Sequence, residues 1–150
     1  KEKMRMKTKT ILLIVITLYV LAGGMGCEKK EPIITDIFHT WKLEGFGDTS
    51  DNSFKNADPK DCEECFVIIF YEDSTFRGKS IINLLGKNFI MSGNNLSFPG
   101  GVLSSYVQEI SGDGTRFTDS LKKVNKYSIE KSKLKLFYSD NEYLLFYLKS

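Results

Sequence analysis

The chain has 150 residues, and 21 basic side chains against 19 acidic ones give a net charge of +2 at pH 7. Residues 1–27 hold five basic side chains and one acidic side chain, so the remainder carries 16 basic and 18 acidic side chains and a net charge of −2. This distribution excludes the basic composition of a nucleic-acid-binding domain, and we expect no nucleic-acid partner.

The first 26 residues have the composition of a secretory signal peptide. A basic start, KEKMRMKTKT, precedes an uncharged run from Ile11 to Ala22, and a glycine-rich stretch, GGMG, follows. A charged segment, an apolar segment of about 7–15 residues and a small-residue cleavage zone define such a peptide. A membrane-spanning helix is the alternative, but it needs about 20 apolar residues, and this run is shorter. We therefore predict a signal peptide over residues 1–26.

The residues before Cys27 resemble a lipobox, the motif that the lipoprotein signal peptidase recognises. The motif has small residues ahead of a cysteine, as in Gly24-Met25-Gly26-Cys27, although Gly24 stands where a leucine-like residue is usual. The resemblance implies that Cys27 is lipidated, becomes the mature N-terminus and attaches the protein to a membrane. An ordinary secreted protein with a chance cysteine is the alternative.

Residues 27–37 are mainly polar and predict a flexible tether between the lipid and a folded domain. No aspartate directly follows Cys27, so the signal that retains some lipoproteins in the inner membrane is not seen. We therefore expect a lipid-anchored protein of the cell envelope, in the outer membrane, on a side that the sequence leaves open.

The folded part begins with a predicted strand over Phe38–Phe46, in which Trp41 and Leu43 share the face opposite Lys42. A long polar loop over residues 47–64 follows, rich in Asp, Asn, Ser and Gly. The only closely spaced cysteine pair of the chain lies at the end of this loop.

Cys62 and Cys65 form this pair, CEEC. An exported protein meets an oxidising compartment, so we expect a local disulfide or a free pair. A redox site of the thioredoxin type would need CxxC at the start of a helix, and the flanking carboxylates raise the pKa of a thiol rather than lower it. Zinc needs about four ligands, and the chain offers one histidine, His39. We therefore predict no metal and no cofactor.

Apolar runs and alternating patterns predict seven or eight short strands, and residues 102–110 are either a strand or irregular. The one helix candidate is Phe117–Val124, with Thr118 as its N-cap. Antiparallel neighbours with short connections predict a mainly β fold, a small antiparallel β barrel or half-barrel with one short helix. The strands after the first are Phe66–Tyr71, Thr75–Asn83, Phe89–Ser92, Leu96–Phe98, Tyr127–Glu130, Lys133–Tyr138 and Tyr143–Leu148.

A series of motifs runs along the folded part, and their order is informative. They are Trp41-Lys42-Leu43, Phe76-Arg77-Gly78, Asn95-Leu96-Ser97-Phe98, Phe117 with Leu121, Tyr127, Leu134-Lys135-Leu136 and Leu144-Leu145-Phe146. Together they resemble the META domain family, the HslJ-like lipoproteins, over most of residues 38–148. The family's Cys-Asn element is replaced by Ile81-Ile82-Asn83. The resemblance implies a calycin-like barrel with a packed helix, and a single domain over residues 38–150.

No group of residues has the pattern of an active site, so we predict that the protein is not an enzyme. His39 is interpreted as a surface or strand-start residue. Glu63 and Glu72 are a conceivable carboxylate pair for glycoside hydrolysis, but acids are common in loops and turns. Four aromatic residues are interpreted as core and sheet face rather than as a ligand platform: Tyr138, Tyr143, Phe146 and Tyr147.

Three functional hypotheses follow. The first is a monomeric, non-catalytic binding or structural protein of the envelope that presents its surface to a partner protein. The second is a carrier of a small apolar ligand inside a calycin-like cup. The third is an inhibitor of an envelope or host hydrolase that uses the 47–64 loop, held by Cys62 and Cys65. The sequence does not identify ligand-binding residues.

Overall fold

The computed structural model describes residues 35–103 and 105–149. The predicted signal peptide of residues 1–26, Cys27 and the tether as far as residue 34 lie outside these described residues. Within them the chain forms ten strands and one helix, α1 (Gly114–Lys122), which lies between β7 and β8. The strands are β1 (Thr40–Asp48), β2 (Phe54–Asn56), β3 (Val67–Phe70), β4 (Thr75–Lys79), β5 (Leu84–Asn88), β6 (Ile90–Ser92), β7 (Asn95–Ser97), β8 (Lys126–Glu130), β9 (Lys133–Phe137) and β10 (Glu142–Leu148).

The strands form one antiparallel sheet that curls into a nearly closed barrel. Its order is β5-β4-β3-β1-β10-β9-β8-β7-β6, and β2 pairs with β1 beside this path. The two edge strands, β5 and β6, follow each other in the chain with only Phe89 between them. One bent segment therefore pairs with β4 through its first half and with β7 through its second, which brings the two edges of the sheet together. The predicted antiparallel barrel with one short helix is confirmed.

Strand β1 lies at the centre of the sheet. It pairs with β3 at its start and with β10 along nearly its whole length, with a bulge between Leu43 and Gly45. Trp41 is fully buried, and its indole nitrogen Nε1 donates a hydrogen bond of 2.8 Å to the carbonyl of Ile37. Gly45 makes room for β2, because a Cβ atom there would lie 2.2 Å from the carbonyl oxygen of Lys55.

Aromatic side chains fill part of the barrel interior. The ring centres of Phe76 and Phe98 are 4.6 Å apart, and Phe70 lies 5.2 Å from Phe89 and 6.2 Å from Phe98. These four residues are between 1% and 6% exposed. Rings at such distances pack against one another as in a solid core rather than line an open cup.

Helix α1 packs one face on the barrel, where Phe117 and Leu121 are fully buried. The prediction of Thr118 as the N-cap is wrong, because the helix already begins at Gly114. The Thr118 hydroxyl lies inside the helix and donates to the carbonyls of Gly114 and Thr115, at 3.2 and 3.0 Å. A threonine in a helix interior commonly satisfies its hydroxyl in this way.

Three segments differ from the sequence prediction. The strand predicted over Thr75–Asn83 ends at Lys79, and a separate strand, β5, begins at Leu84. The predicted loop over residues 47–64 contains β2. The described part of residues 102–110 forms no strand. It makes an isolated β-bridge between Leu103 and Leu85 and is otherwise irregular.

Candidate functional site

The segment between β2 and β3, residues 57–66, packs against the outside of β1, and we call it the disulfide loop. Cys62 and Cys65 are bonded to each other within it. At its two ends, the amide of Ala57 donates to the carbonyl of Glu44, and the carbonyl of Phe66 accepts from the amide of Leu43, both at 3.0 Å. The loop is thus attached to β1 at both ends.

Asp113, directly before α1, fixes the start of the disulfide loop. Its buried carboxylate accepts hydrogen bonds from Lys55 Nζ at 2.6 and 2.9 Å and from the amide of Asp58 at 3.0 Å. The amide of Asp113 donates in turn to the carbonyl of Asp58 at 2.7 Å. Charge-assisted bonds of this kind are stronger than neutral ones, so the loop, β2 and the helix start form one connected unit.

Lys42 is the residue of β1 that the disulfide loop covers. The alternation along β1 places it on the outer face, yet it is only 6% exposed. Its Nζ donates hydrogen bonds to the carbonyls of Cys62, at 2.6 Å, and of Cys65, and it lies 5.8 Å from the ring centre of Phe66. Burial, followed by the nearby positive charge of Lys149, lowers the pKa of Lys42 below its usual value.

A groove lies between the disulfide loop and the outer wall of the barrel, and we call it the loop groove. It consists of two neighbouring pockets of about 300 and 330 Å³. Lys42, Lys60 and Tyr147 line both pockets, so Lys42 lies where they meet. The first pocket adds apolar residues, among them Pro59 and Phe66, and the polar side chains of Glu44 and Asn56. The second adds charged residues, namely Asp61, Glu63 and Lys149.

The charges of the second pocket are partly paired. Lys149 Nζ lies 3.2 Å from a carboxylate oxygen of Glu64 and donates to the carbonyl of Glu63 at 3.3 Å. On the same outer wall, Lys133 forms an ion pair with Glu44. The arrangement can bind and orient an anion, but it does not place a base next to a nucleophile.

A second feature is an exposed group of apolar side chains, which we call the apolar patch: Ile82, Leu84, Tyr106, Val107 and Ile110. Their exposed fractions range from 47% for Ile82 to 94% for Ile110. The two segments that carry them run side by side, because Leu84 and Ser105 exchange hydrogen bonds of 2.9 and 3.3 Å. Contiguous apolar surface of this kind marks an interaction site more often than single exposed residues do.

A polar network under the apolar patch holds its two segments together. The side chain of Asn83 donates to the carbonyl of Val107 at 2.9 Å and accepts from the amide of Val107 at 2.6 Å. Glu109 accepts hydrogen bonds from Ser80 and from Asn83, the latter at 3.0 Å. The irregular backbone of residues 105–110 is therefore positioned by side chains instead of by a strand ladder.

The structure separates the other candidate residues that the sequence suggested. His39 lies at the start of β1, with its Nε2 atom 3.3 Å from the carboxylate of Asp36. Glu63 and Glu72 lie in the connections at opposite ends of β3 and are not brought together. Phe146 is fully buried in the core, and Tyr147 is 40% exposed on the outer wall.

The described residues contain neither a cluster of metal-ligating side chains nor a membrane-spanning helix. In residues 35–103 and 105–149, no three side chains of His, Cys, Asp or Glu converge in a way that could hold a metal ion. In that same part of the chain, no helix has the length and apolar character that a membrane crossing requires.

Comparison with known sequences gives one informative relative. A "Putative lipoprotein" of Tannerella forsythia is 29% identical over 147 residues, which cover 95% of this chain and 96% of that protein. No family model matches the chain.

Comparison with solved structures supports the fold. A DUF4847 family protein from Bacteroides vulgatus has a TM-score of 0.57 and 16% identity, covering 74% of this chain and 92% of its own. A protein from Burkholderia xenovorans, solved by NMR, has a TM-score of 0.60 and 13% identity, covering 83% of this chain and 98% of its own. At such low identity these likenesses concern the fold alone.

Proposed function

We propose that this chain is a lipid-anchored protein of the cell envelope, processed at Cys27, whose non-catalytic β barrel binds a partner protein through its outer surface. The match to the Tannerella forsythia protein supports the anchor, because it covers 95% of this chain and so extends beyond the barrel into the leader. We further propose the outer membrane as its location, and a monomer without a cofactor as its working form.

Metabolic labelling with palmitate tests the anchor. We expect label in the wild-type protein and in Cys62→Ser, which serves as a control for losing a cysteine, and no label in Cys27→Ala. Incorporation that persists in Cys27→Ala would rule out lipidation at this residue. Recovery of the labelled protein with the inner membrane in a density gradient would contradict the outer-membrane location.

The contrast between interior and exterior carries the binding proposal. Packed rings of Phe70, Phe76, Phe89 and Phe98 occupy the interior, whereas the apolar patch stands exposed outside. Partner proteins bury such patches, and each large side chain that leaves water contributes about 1.5–3 kcal/mol. We therefore assign partner binding to the apolar patch.

Capture from an envelope extract tests this assignment. The mature chain from residue 28, immobilised, should retain a partner that Ile110→Ser and Tyr106→Ser fail to retain. Ile90→Ser is the matched control, because Ile90 is also exposed, at 60%, but lies on β6 outside the patch. Equal capture by the patch variants and by the control would refute the role of the patch.

A carrier of an apolar ligand inside the barrel is less well supported, since the rings already fill the space that the ligand would need. The inhibitor hypothesis has one observation in its favour. The disulfide loop is attached to β1 at both ends, and a binding loop fixed in advance loses little entropy when it docks. Inhibition of an envelope hydrolase that disappears in Cys62→Ser would support this role, and the same inhibition in both proteins would end it.

We also retain the relationship to the META domain (HslJ-like) family as a proposal. Its support is the position of the motifs, because Trp41-Lys42-Leu43 lies in β1, Phe76-Arg77-Gly78 in β4 and Leu144-Leu145-Phe146 in β10. A superposition on a META-domain structure with the same strand order and the same helix position would support the relationship. A different strand order would refute it.

A further inference from the structure

Lys42 carries a positive charge into the protein, and the negative charges nearest to it, of Glu63 and Glu64, are not in contact with its ammonium group. It is 6% exposed, and among the described residues no carboxylate oxygen lies within 4.0 Å of its Nζ. Two backbone carbonyls, of Cys62 and Cys65, accept from it. An ammonium group has three N–H donors, so one remains for a further acceptor. Burying a charge without a counter-ion is costly, and an apolar residue would fill this position at lower cost.

The surroundings of Lys42 add positive charge and a hydrogen-bond donor. Lys60 and Lys149 line the loop groove with it, as does Tyr147, which carries a phenolic hydroxyl. Of the acidic residues of the groove, Asp61 and Glu63 are exposed to water, as is Lys60, and the half-buried Glu44 is paired with Lys133. Water and salt screen exposed charges much more than buried ones. The buried Lys42 is therefore the least screened positive charge of the groove.

One part of the first pocket's wall is apolar. Pro59, Ala57 and Phe66 line it, and the pocket is about 300 Å³ in volume. Ligand sites typically combine an apolar lining with a few fixed polar groups in a space of about 300–1,000 Å³. A cationic floor beside an apolar wall selects a ligand with an anionic head and an apolar body.

We propose that the loop groove binds a small organic anion, with a carboxylate or sulfonate head on Lys42 and a ring or short chain against Phe66 and Pro59. This site is separate from the apolar patch and does not depend on the protein partner proposed above. The disulfide loop forms one wall of the groove and supplies both carbonyl acceptors of Lys42, so it positions the ammonium group for the ligand.

Fluorescence titration of the mature chain from residue 28 with 8-anilinonaphthalene-1-sulfonate tests the proposal. This probe combines a naphthalene and a phenyl ring with a sulfonate, and N-phenyl-1-naphthylamine has the same ring systems without the charge. We expect saturable binding of one sulfonate probe per chain, and at least about tenfold weaker binding of the neutral probe. A single hydrogen bond to a charged group accounts for a difference of this size.

Variants identify the site. Lys42→Met should weaken binding of the sulfonate probe at least about tenfold. Lys60→Gln, at an exposed position, should weaken it by about two- to fivefold. Lys126→Met is the matched control, because Lys126 lies on β8 outside the groove, and it should bind as the wild type does.

Three results would overturn the proposal. The first is equal affinity for the two probes. The second is unchanged affinity in Lys42→Met, or in Lys60→Gln if Lys42→Met does not fold by circular dichroism. The third is loss of sulfonate binding in Ile110→Ser, which would place the probe on the apolar patch instead.

Discussion

Replacement of Phe70 by alanine tests whether the barrel has a solid interior or a ligand cup. Phe70 is 2% exposed, and its ring centre lies 6.4 Å from Phe76, 5.2 Å from Phe89 and 6.2 Å from Phe98. Its removal would leave three rings without a common neighbour. A buried Phe→Ala change in a packed core costs about 3–5 kcal/mol, from lost burial and from the cavity left behind. We expect a loss in this range for Phe70→Ala.

Urea unfolding of the mature chain measures this loss. The chain has a single tryptophan, Trp41, and its complete burial makes fluorescence a direct reporter of unfolding. With a denaturant slope of about 2 kcal/mol per molar urea, the midpoint should fall by about 2 M. Tyr71→Ala is the neighbouring control, since Tyr71 is 37% exposed, and we expect it to cost less than about 1 kcal/mol.

In a cup, Phe70 would line free space and contribute little to stability. A cost below about 1 kcal/mol for Phe70→Ala, equal to that of the control, would therefore refute the solid interior. It would also make the carrier of an apolar ligand the better supported hypothesis.

Three further predictions concern the entry of the chain into β1 and the disulfide loop. Trp41→Phe removes the indole donor from the carbonyl of Ile37, which still accepts from the amide of His39. We expect a loss of about 0.5–1.5 kcal/mol by circular dichroism in urea, so an unchanged midpoint would contradict the bond. Cys62→Ser should lose about 2 kcal/mol of stability, the chain-entropy value for a loop of about four residues, and its thermal midpoint should no longer respond to reductant. Burial is the main reason that the pKa of Lys42 is lower in the folded state than in the unfolded state. As the pH approaches 10.5, the unfolded state therefore binds more protons than the folded state. The free energy of unfolding should then rise with pH in the wild type relative to Lys42→Met. A wild-type protein whose stability falls there relative to the variant would contradict the direction of the shift.

The sequence predicts the C-terminal part of the barrel well because the alternation of apolar residues there runs through neighbouring strands with short connections. In β9 and β10, every second residue is apolar, and Leu134, Leu136, Leu144 and Phe146 are all fully buried. Short connections then leave antiparallel pairing as the only compact arrangement. The strand order around β1 does not follow from such patterns, because it depends on pairings between distant parts of the chain.

The sequence does not predict strands and turns that depend on backbone hydrogen bonds or on side-chain hydrogen-bond networks. All three residues of β2 are exposed, so no alternation marks it, and its pairing with β1 alone defines it. The strand predicted over Thr75–Asn83 stops at Lys79, just before Ser80 and Asn83 form a local hydrogen-bonded turn. Nothing in the local residues marks this turn as an interruption.

The loop groove shows the same limit at the level of the site. Alternation correctly places Lys42 on the outer face of β1, and from this face alone a solvated lysine is expected. Its burial comes from the disulfide loop, about 20 residues later in the chain, whose two carbonyls accept from it. The CEEC pair marks a structured loop, but it contains no information about the strand on which that loop packs.

The pairing of β1 with β10 also affects when the protein can fold. These strands are adjacent in the sheet, yet the rest of the barrel's strands lie between them in the chain. A polypeptide that crosses a membrane N-terminus first delivers β1 early and β10 last, so its central strand lacks a major partner until translocation is nearly complete. Non-local pairings of this kind form slowly. If the chain is exported as proposed above, this topology delays closure of the barrel on the far side of the membrane until β10 has crossed.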